Sequence, residues 1–509
     1  MGNTGYDVQQ YTLALSIDPL AETLSGTVTI EAVTTLADLG RLSLDFSGDY
    51  QITGLTVDGQ AATYQWRDDK LAVDLPQPLP AGVAFSLAVH YGGRPQPIRS
   101  RYIPFVQVGM TFEDGTVYVV AEPDGARAWF PANDHPRDKA RFRFEISVPQ
   151  PYVVAANGQP QPPLELSDGR LTYVWDSDAQ MAPYLATLAI DAYTVVEQSA
   201  PNGVPIRHFV PPEIAQEAAD LLSVTGEMMV FLERYFGPYP FDSYGHALTP
   251  VEGVALETQT MTILPASIVY GEAEGILLHE LAHQWFGDSV SPASWADIWL
   301  NEGFATYAEW LWLEARSPQA LNARLESVEV AAPYSDLGAP LANPEPTDLF
   351  GFNSYQKGAW VLHMLRQQVG DEVFFRLLQT YHERFQGGVA SSADLKQVAE
   401  EISRQDLDAF FEQWVYGRGM PELALYWRQI DDAVEVRVCQ VQAQTFAVPL
   451  DLTLQGERQG ETLTLTLDDA SEPARFAVPF AITTLIPDPD QHLLAQVSVE
   501  ERVELPDCP

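Results

Sequence analysis

The chain has 509 residues, 46% of them hydrophobic and 11% aromatic, which is the composition of an ordinary globular protein with room for about three domains. Its 70 acidic residues against 28 basic ones leave a formal charge of −42, a surface that repels nucleic acid and anionic membranes and argues against both as partners. No apolar run approaches the ~20 residues needed to cross a bilayer, so no stable membrane span is expected.

From Tyr11 to about residue 195 the chain alternates in short runs broken by Gly, Pro and Asp: YTLALSID, LSGTVTIEAVT, YQITGLTVDG, FSLAVHYGG and ARFRFEISVP. Period two with such punctuation predicts a large antiparallel β-domain over residues 1–200. The strand pattern starts almost at once, with no apolar leader before it, and localisation stays open between the cytoplasm and secretion with a leader removed. Inside this domain VVAEPDGARAWFPANDHPRDKARF is dense in Pro, Asp, Gly and Arg, the composition of a functional loop or of a long connection stitched by Asp–Arg pairs.

Beyond the Pro-rich join PNGVPIRHFVPP the period becomes helical, in EIAQEAADLLSVTGEMMVFLERYFG, and a second domain is expected over residues 201–420. YGHALTPVEGVALETQTMTILP reads as strand and turn. LLHELAHQWFGDSV then sets His279 and His283 four apart, one above the other on a helix, where both imidazoles can reach a single tetrahedral ion at about 2.0 Å. Glu280 lies one step round the helix, where a carboxylate can take a proton from metal-bound water. Nineteen residues after His283, Glu302 stands in WADIWLNEGFATYAEWLW, expected as a second buried helix. Two histidines and a glutamate leave the fourth zinc position to water, the catalytic pattern. The other histidines are read as non-ligands, with His135 in the NDHP turn the one to check. Asp288, Asp297 and Asn301 could orient ligands or cap helices, and Trp285, Trp295, Trp299, Trp310 and Trp312 are expected to be core.

A Pro/Gly-rich loop (332–352) and amphipathic helices around SYQKGAWVLHMLRQQVG, EVFFRLLQTYHERF, SADLKQVAEEIS and LDAFFEQWVYGRG follow. After Met420 and Pro421 the strands return, and residues 421–509 are expected to form a small β-sandwich. Cys439 and Cys508 lie far from the metal motif; one disulfide or two free thiols are equally compatible with the sequence.

In EPDGARAWFPANDHPRDKA, VALETQT, HELAHQWFGD with WLNEGFA, SYQKGAWVLHML and FEQWVYGRGMPEL, taken in that order and spacing, the chain resembles the gluzincin zinc aminopeptidases of the aminopeptidase N and leukotriene hydrolase type. The resemblance implies a multidomain α+β fold: a β-saddle N-terminal domain, a thermolysin-like, mainly helical catalytic domain and a C-terminal β-sandwich. It implies one zinc per chain on His279, His283 and Glu302, Glu280 as base, and Tyr355 as the hydroxyl that stabilises the tetrahedral intermediate. Glu122 and Glu257 match the glutamates that bind the substrate's α-ammonium, with Ala255 in the edge that aligns the peptide. Val254 and Thr258 replace the glycine and asparagine of the usual run, and Val120 replaces a common glutamine, changes that reshape the substrate edge and the first side-chain pocket. The implied activity is hydrolysis of the N-terminal bond of peptides with a free amine, by Glu-assisted attack of zinc-bound water; a monomer is expected. The alternatives are a zinc endopeptidase or other zinc hydrolase, and an inactive relative acting as a binding module.

Overall fold

The alternation in the first third of the chain becomes long strands buried on one face. In Tyr6–Asp18 the side chains of Val8, Tyr11, Leu13, Leu15 and Ile17 point into the core, and a bulge between Val8 and Gln10 shifts the alternation by one residue. The computed structural model describes residues 2–103, 106–271, 273–335, 337–467 and 473–508. These divide into two compact units: one runs to Ala296 and includes Leu378–Ser391, and the other holds Asp297–Leu377 with the chain from Ser392 onward.

In the first unit, a nine-stranded sheet has at its centre Tyr6–Asp18, paired antiparallel with Thr23–Thr34 and parallel with Ala140–Val148. A five-stranded sheet places Thr116–Val120, the strand that leads into Glu122, between Gln107–Glu113 and Leu188–Asp191. A four-stranded sheet runs Thr194–Ser199, Pro205–Val210, Tyr244–Thr249, Thr262–Pro265, parallel after its first pair. VEGVALETQT is therefore the connection between two parallel strands, largely irregular. Short strands Ser291–Pro292 and Val389–Ala390 pair in parallel, a link between distant stretches that two residues each are too few to signal in sequence.

The second unit carries helices Trp299–Arg316, Pro318–Ala331, Gly358–Val369 and Ser392–Ser403. The Glu302 helix starts four residues later than the tryptophan pattern suggests: Trp295–Asp297 form a separate 3₁₀ turn before it, and the carboxylate of Asp297 reaches a second helix. Its Oδ1 accepts the backbone N–H of Ser392 at 2.9 Å and the Ser392 hydroxyl at 2.7 Å, at the start of Ser392–Ser403. The capping alternative for Asp297 is the one realised.

The C-terminal strands form two sheets, ordered Ala474–Ala477, Ala433–Gln440, Glu422–Ile430, Gln496–Glu501 and Gly460–Leu467, Val448–Gln455, Thr484–Pro487. Alternate residues are buried in both, among them Leu423, Leu425 and Trp427 in one and Leu450, Leu452 and Leu454 in the other, as a sandwich requires. The end of the ETLTLTLDD run, Asp468 and Asp469, lies outside the described residues. Cys439 and Cys508 are joined as a disulfide, and Arg437 Nη1 donates to the Pro506 carbonyl at 2.6 Å beside it. Among the described residues no helix is long and apolar enough to cross a membrane.

Candidate active site

The helix Glu274–Ala282 is apolar on nearly every side, and Leu277, Leu278, Leu281 and Ala282 are all buried. Such a helix is a core element, and polar side chains on it need a reason to be there. His279 and Glu280 lie on it at 9% and 6% exposure. His283 is the residue that ends it, still helical at φ −58° and ψ −23°, with its N–H on the His279 carbonyl. The two imidazole centroids are 4.7 Å apart at 78°, and a ring nitrogen of one lies within 4.8 Å of a ring nitrogen of the other.

His283 Nδ1 sits 3.1 Å from the Phe286 carbonyl. A carbonyl can only accept, so Nδ1 carries the hydrogen and Nε2 keeps its lone pair for a metal. Neutral imidazole donors at this spacing suit zinc.

The helix end is closed by the residues that follow. The amides of Asp288, Ser289 and Val290 donate to the carbonyls of His283, Gln284 and Trp285 at 3.0–3.1 Å, groups the helix would otherwise leave unpaired. The chain reverses at Gly287, whose φ of +138° a side chain would resist.

Lys139, from the NDHPRDKA stretch, braces this turn. Its buried Nζ donates to the carbonyls of Asp288, Ser289 and Gly388 at 2.7, 3.0 and 3.2 Å. Burial pushes the ammonium down to about 7, against the attraction of Asp288. Burial and the charge of Glu257 raise the Asp288 carboxyl, Lys139 opposes them, and Glu280 adds to the rise. Lysine is rare in this chain, and one set beside a Pro- and Asp-rich run is the only sequence signal this brace offers.

The EPDGARAWFPANDHPRD segment is held by the ion pairs of Arg127 and by side-chain to backbone hydrogen bonds. Buried Arg127 donates to Asp124 and Asp69, both at 2.8 Å. Asp134, pushed up to about 8 by burial with Asp45 adding to it, accepts the Arg127 N–H at 3.1 Å. His135 accepts the Arg137 N–H on Nδ1 at 3.1 Å, and burial holds it down to about 4, so it serves the turn. These pairs hold the backbone that carries Glu122, whose carboxylate has an oxygen within 4.8 Å of one on Glu257.

Glu257 itself is 3% exposed, and Leu256 before it exchanges both backbone hydrogen bonds with Ile263 at 2.9 Å. Ala255 is half-buried just upstream. The Val254 side chain is 43% exposed and Gly253 takes φ +69°, so the bulk that replaces a glycine at Val254 faces outward.

In the second unit Glu302 stands in the first turn of Trp299–Arg316 at 2% exposure. Tyr355 lies in a π-helical turn, Asn353–Lys357, that opens directly into Gly358–Val369. Wide turns of this kind re-aim a side chain, and no sequence pattern announces them. In the same turn, burial lowers Lys357 to about 8. The Glu302 helix is tied down at its far end by Arg366, which donates to Glu314 at 2.8 Å, to Asp371 at 2.9 and 3.0 Å, and to the Tyr307 hydroxyl at 3.3 Å. All five tryptophans expected in the core are buried there, and Trp299 Nε1 donates to Ser392 Oγ at 2.9 Å. Thus His279, Glu280, His283, Glu122, Glu257 and Ala255 belong to one unit, and Glu302 and Tyr355 to the other.

Residues 7–185 match the peptidase M1 N-terminal domain and residues 221–414 the peptidase family M1 domain. A solved M1 zinc metallopeptidase from Deinococcus radiodurans is 32% identical, covers 83% of this chain and 96% of its own, and superposes with a TM-score of 0.74. A mutant of it bound to a Tyr-Ser-Ala substrate matches equally well. Human endoplasmic reticulum aminopeptidase 1 is 28% identical over 334 residues, 60% of this chain and 35% of its own length. Mouse glutamyl aminopeptidase is 28% identical over 347 residues, 62% of this chain and 36% of its own. The chain thus spans about a third of the length of these curated relatives.

Proposed function

Because the chain belongs to peptidase family M1, we propose that it is a zinc aminopeptidase that removes single residues from the free N-terminus of peptides. The observation that carries this reading is the approach of two carboxylates, Glu122 and Glu257, in the unit that also holds His279 and His283. Two carboxylates brought that close in a largely buried place suit a cation held between them. A peptide's α-ammonium is such a cation, and binding it sets the first peptide bond at a fixed distance from the amine.

His279 and His283 with Glu302 are the proposed zinc ligands. Zinc held there supplies Lewis acidity toward the scissile carbonyl and acidifies a water. Glu280 takes the proton of the attacking water and passes it to the departing amine. The Tyr355 hydroxyl donates to the carbonyl oxygen as it gains charge; one donor of this kind is worth about 3–4 kcal/mol in comparable sites. The ligands, base, hydroxyl and amine anchors all come from one chain, so a monomer suffices.

The test is a panel of aminoacyl-amidomethylcoumarins beside the same panel N-acetylated, each with and without a chelator. Chelator-sensitive release from the free-amine set alone is expected. Equal release from both sets overturns the exopeptidase assignment in favour of an endopeptidase, and no release with zinc bound favours a non-catalytic role.

A further inference from the structure

Gln284 follows the second metal-binding histidine and is completely buried. Its side-chain amide Nε2 donates to the backbone carbonyl of Glu257 at 3.0 Å, and its Oε1 accepts the backbone N–H of Thr260 at 2.8 Å. We infer that Gln284 is a positioning residue that sets Glu257 at a fixed distance from His279 and His283, and so helps confine cleavage to the first peptide bond. This rests on the aminopeptidase reading above.

The two backbone groups that Gln284 bonds are the ends of one turn, and the Tyr239 hydroxyl also donates to its Oε1 at 3.5 Å. Thr260 has φ +63°, and the Met261 N–H returns to the Thr258 carbonyl at 2.9 Å. Upstream, residues 252–254 are exposed and irregular, so Glu257 is held between the Leu256–Ile263 backbone pair and the turn that follows it. The Asn157 amide donates to the Gln259 carbonyl at 2.7 Å and the Gly158 N–H to Thr260 Oγ1 at 2.8 Å, which anchor the turn to the β-rich part of the unit. Gln284 is the side chain that anchors it to the metal helix.

The chemistry of the side chain fits the task. A primary amide carries a donor and an acceptor on one planar end without charge. A glutamate would keep the acceptor for Thr260 but face the Glu257 carbonyl with a second acceptor. An asparagine is one methylene short. Both backbone groups are buried, so losing either partner leaves a costly unpaired atom and frees the turn to shift.

The experiment compares Gln284→Met, similar in length but without donor or acceptor, and Gln284→Glu with the parent, each also in a Glu257→Ala background. Steady-state kinetics on a free and an N-acetylated aminoacyl-amidomethylcoumarin are read beside zinc content and melting temperature. Calorimetric binding of a free-amine tripeptide in a Glu280→Gln background gives a readout independent of turnover. Zinc content should be retained, while KM for the free-amine substrate rises and tripeptide binding weakens by about tenfold to a hundredfold, the scale of loss from small misplacements. In the Glu257→Ala background the same change should have little further effect.

Equal fold-losses with and without Glu257, or loss of zinc as the main effect, overturn the inference and leave Gln284 a structural residue. Should Gln284→Met fail to fold, Gln284→Glu, which keeps the Thr260 bond, decides between these outcomes. A parent enzyme indifferent to N-acetylation overturns the aminopeptidase reading and the inference with it. A parent selective for free amines whose Gln284 variants are equally selective and bind equally well overturns the inference alone.

Discussion

Gly303 and Gly358 cross so closely that a β-carbon on either would stand 3.0 Å from the other's backbone. One follows Glu302, and the other follows the turn that holds Tyr355. Two helices meet here without side chains between them, and that close approach sets the third proposed ligand and the proposed hydroxyl on a common rigid base. Gly358→Ala is expected to cost about 1–3 kcal/mol of stability, because backbone cannot yield as a side-chain tip can. Turnover should fall more than substrate affinity. Thermal unfolding beside kcat and KM checks this; an alanine variant with parental kcat would show that the crossing does not govern the site.

Glu280→Gln removes the base and keeps both imidazoles. Zinc content is expected to remain at the parental level while kcat drops by about 10²–10⁴. Metal analysis with steady-state kinetics on one preparation is sufficient, and near-parental turnover would refute the role given to Glu280.

The buried pair His208 and His246 should make part of the protein's stability sensitive to acid. Gln198 Nε2 donates to the Leu222 carbonyl at 3.0 Å and to His208 Nε2 at 2.8 Å. His208 therefore carries its hydrogen on Nδ1 and donates it to His246 Nδ1 at 2.9 Å. Protonating either ring puts a hydrogen where an acceptor is needed. Burial holds His208 down to about 3 and His246 well below the usual imidazole range, with His208 adding to the latter. Both folded values lie below the unfolded value of about 6.5, so the unfolded chain binds more protons below that pH. The pair's contribution is complete above pH ~6.5 and is lost as pH falls toward the folded values. Urea unfolding between pH 7.5 and 4.5 should show a shallower acid loss in His208→Gln/His246→Gln than in the parent. Parallel curves would contradict this assignment.

The Cys439–Cys508 bridge joins residues 69 apart in sequence. Closing a loop of that size in the unfolded chain is worth about 4 kcal/mol. Cys508→Ser should lower the unfolding midpoint by a corresponding amount while leaving kcat close to parental, since the bridge ties the irregular stretch after Glu501 to the strand Ala433–Gln440 and involves none of the proposed site residues. Alkylation with and without reductant, followed by mass measurement, verifies the bond. A variant with unchanged stability would argue against it.

Local chemistry was legible in the sequence wherever the information is local. A period of two marks strands, a spacing of four stacks His279 over His283, and the order of short motifs identifies the family, because each follows from repeat geometry within a few residues. The π-turn at Tyr355, the Gly303–Gly358 crossing, the choice of Asp297 as a cap for Ser392, the Lys139 brace and the Gln284 clamp were not legible. Each joins residues far apart in the chain, or depends on which of several possible partners a polar group finds. Covalent sequence constrains dihedral angles and burial face along one segment; only the packed fold decides which backbone carbonyl a given lysine or glutamine meets, and those meetings position the side chains on which the proposed chemistry depends.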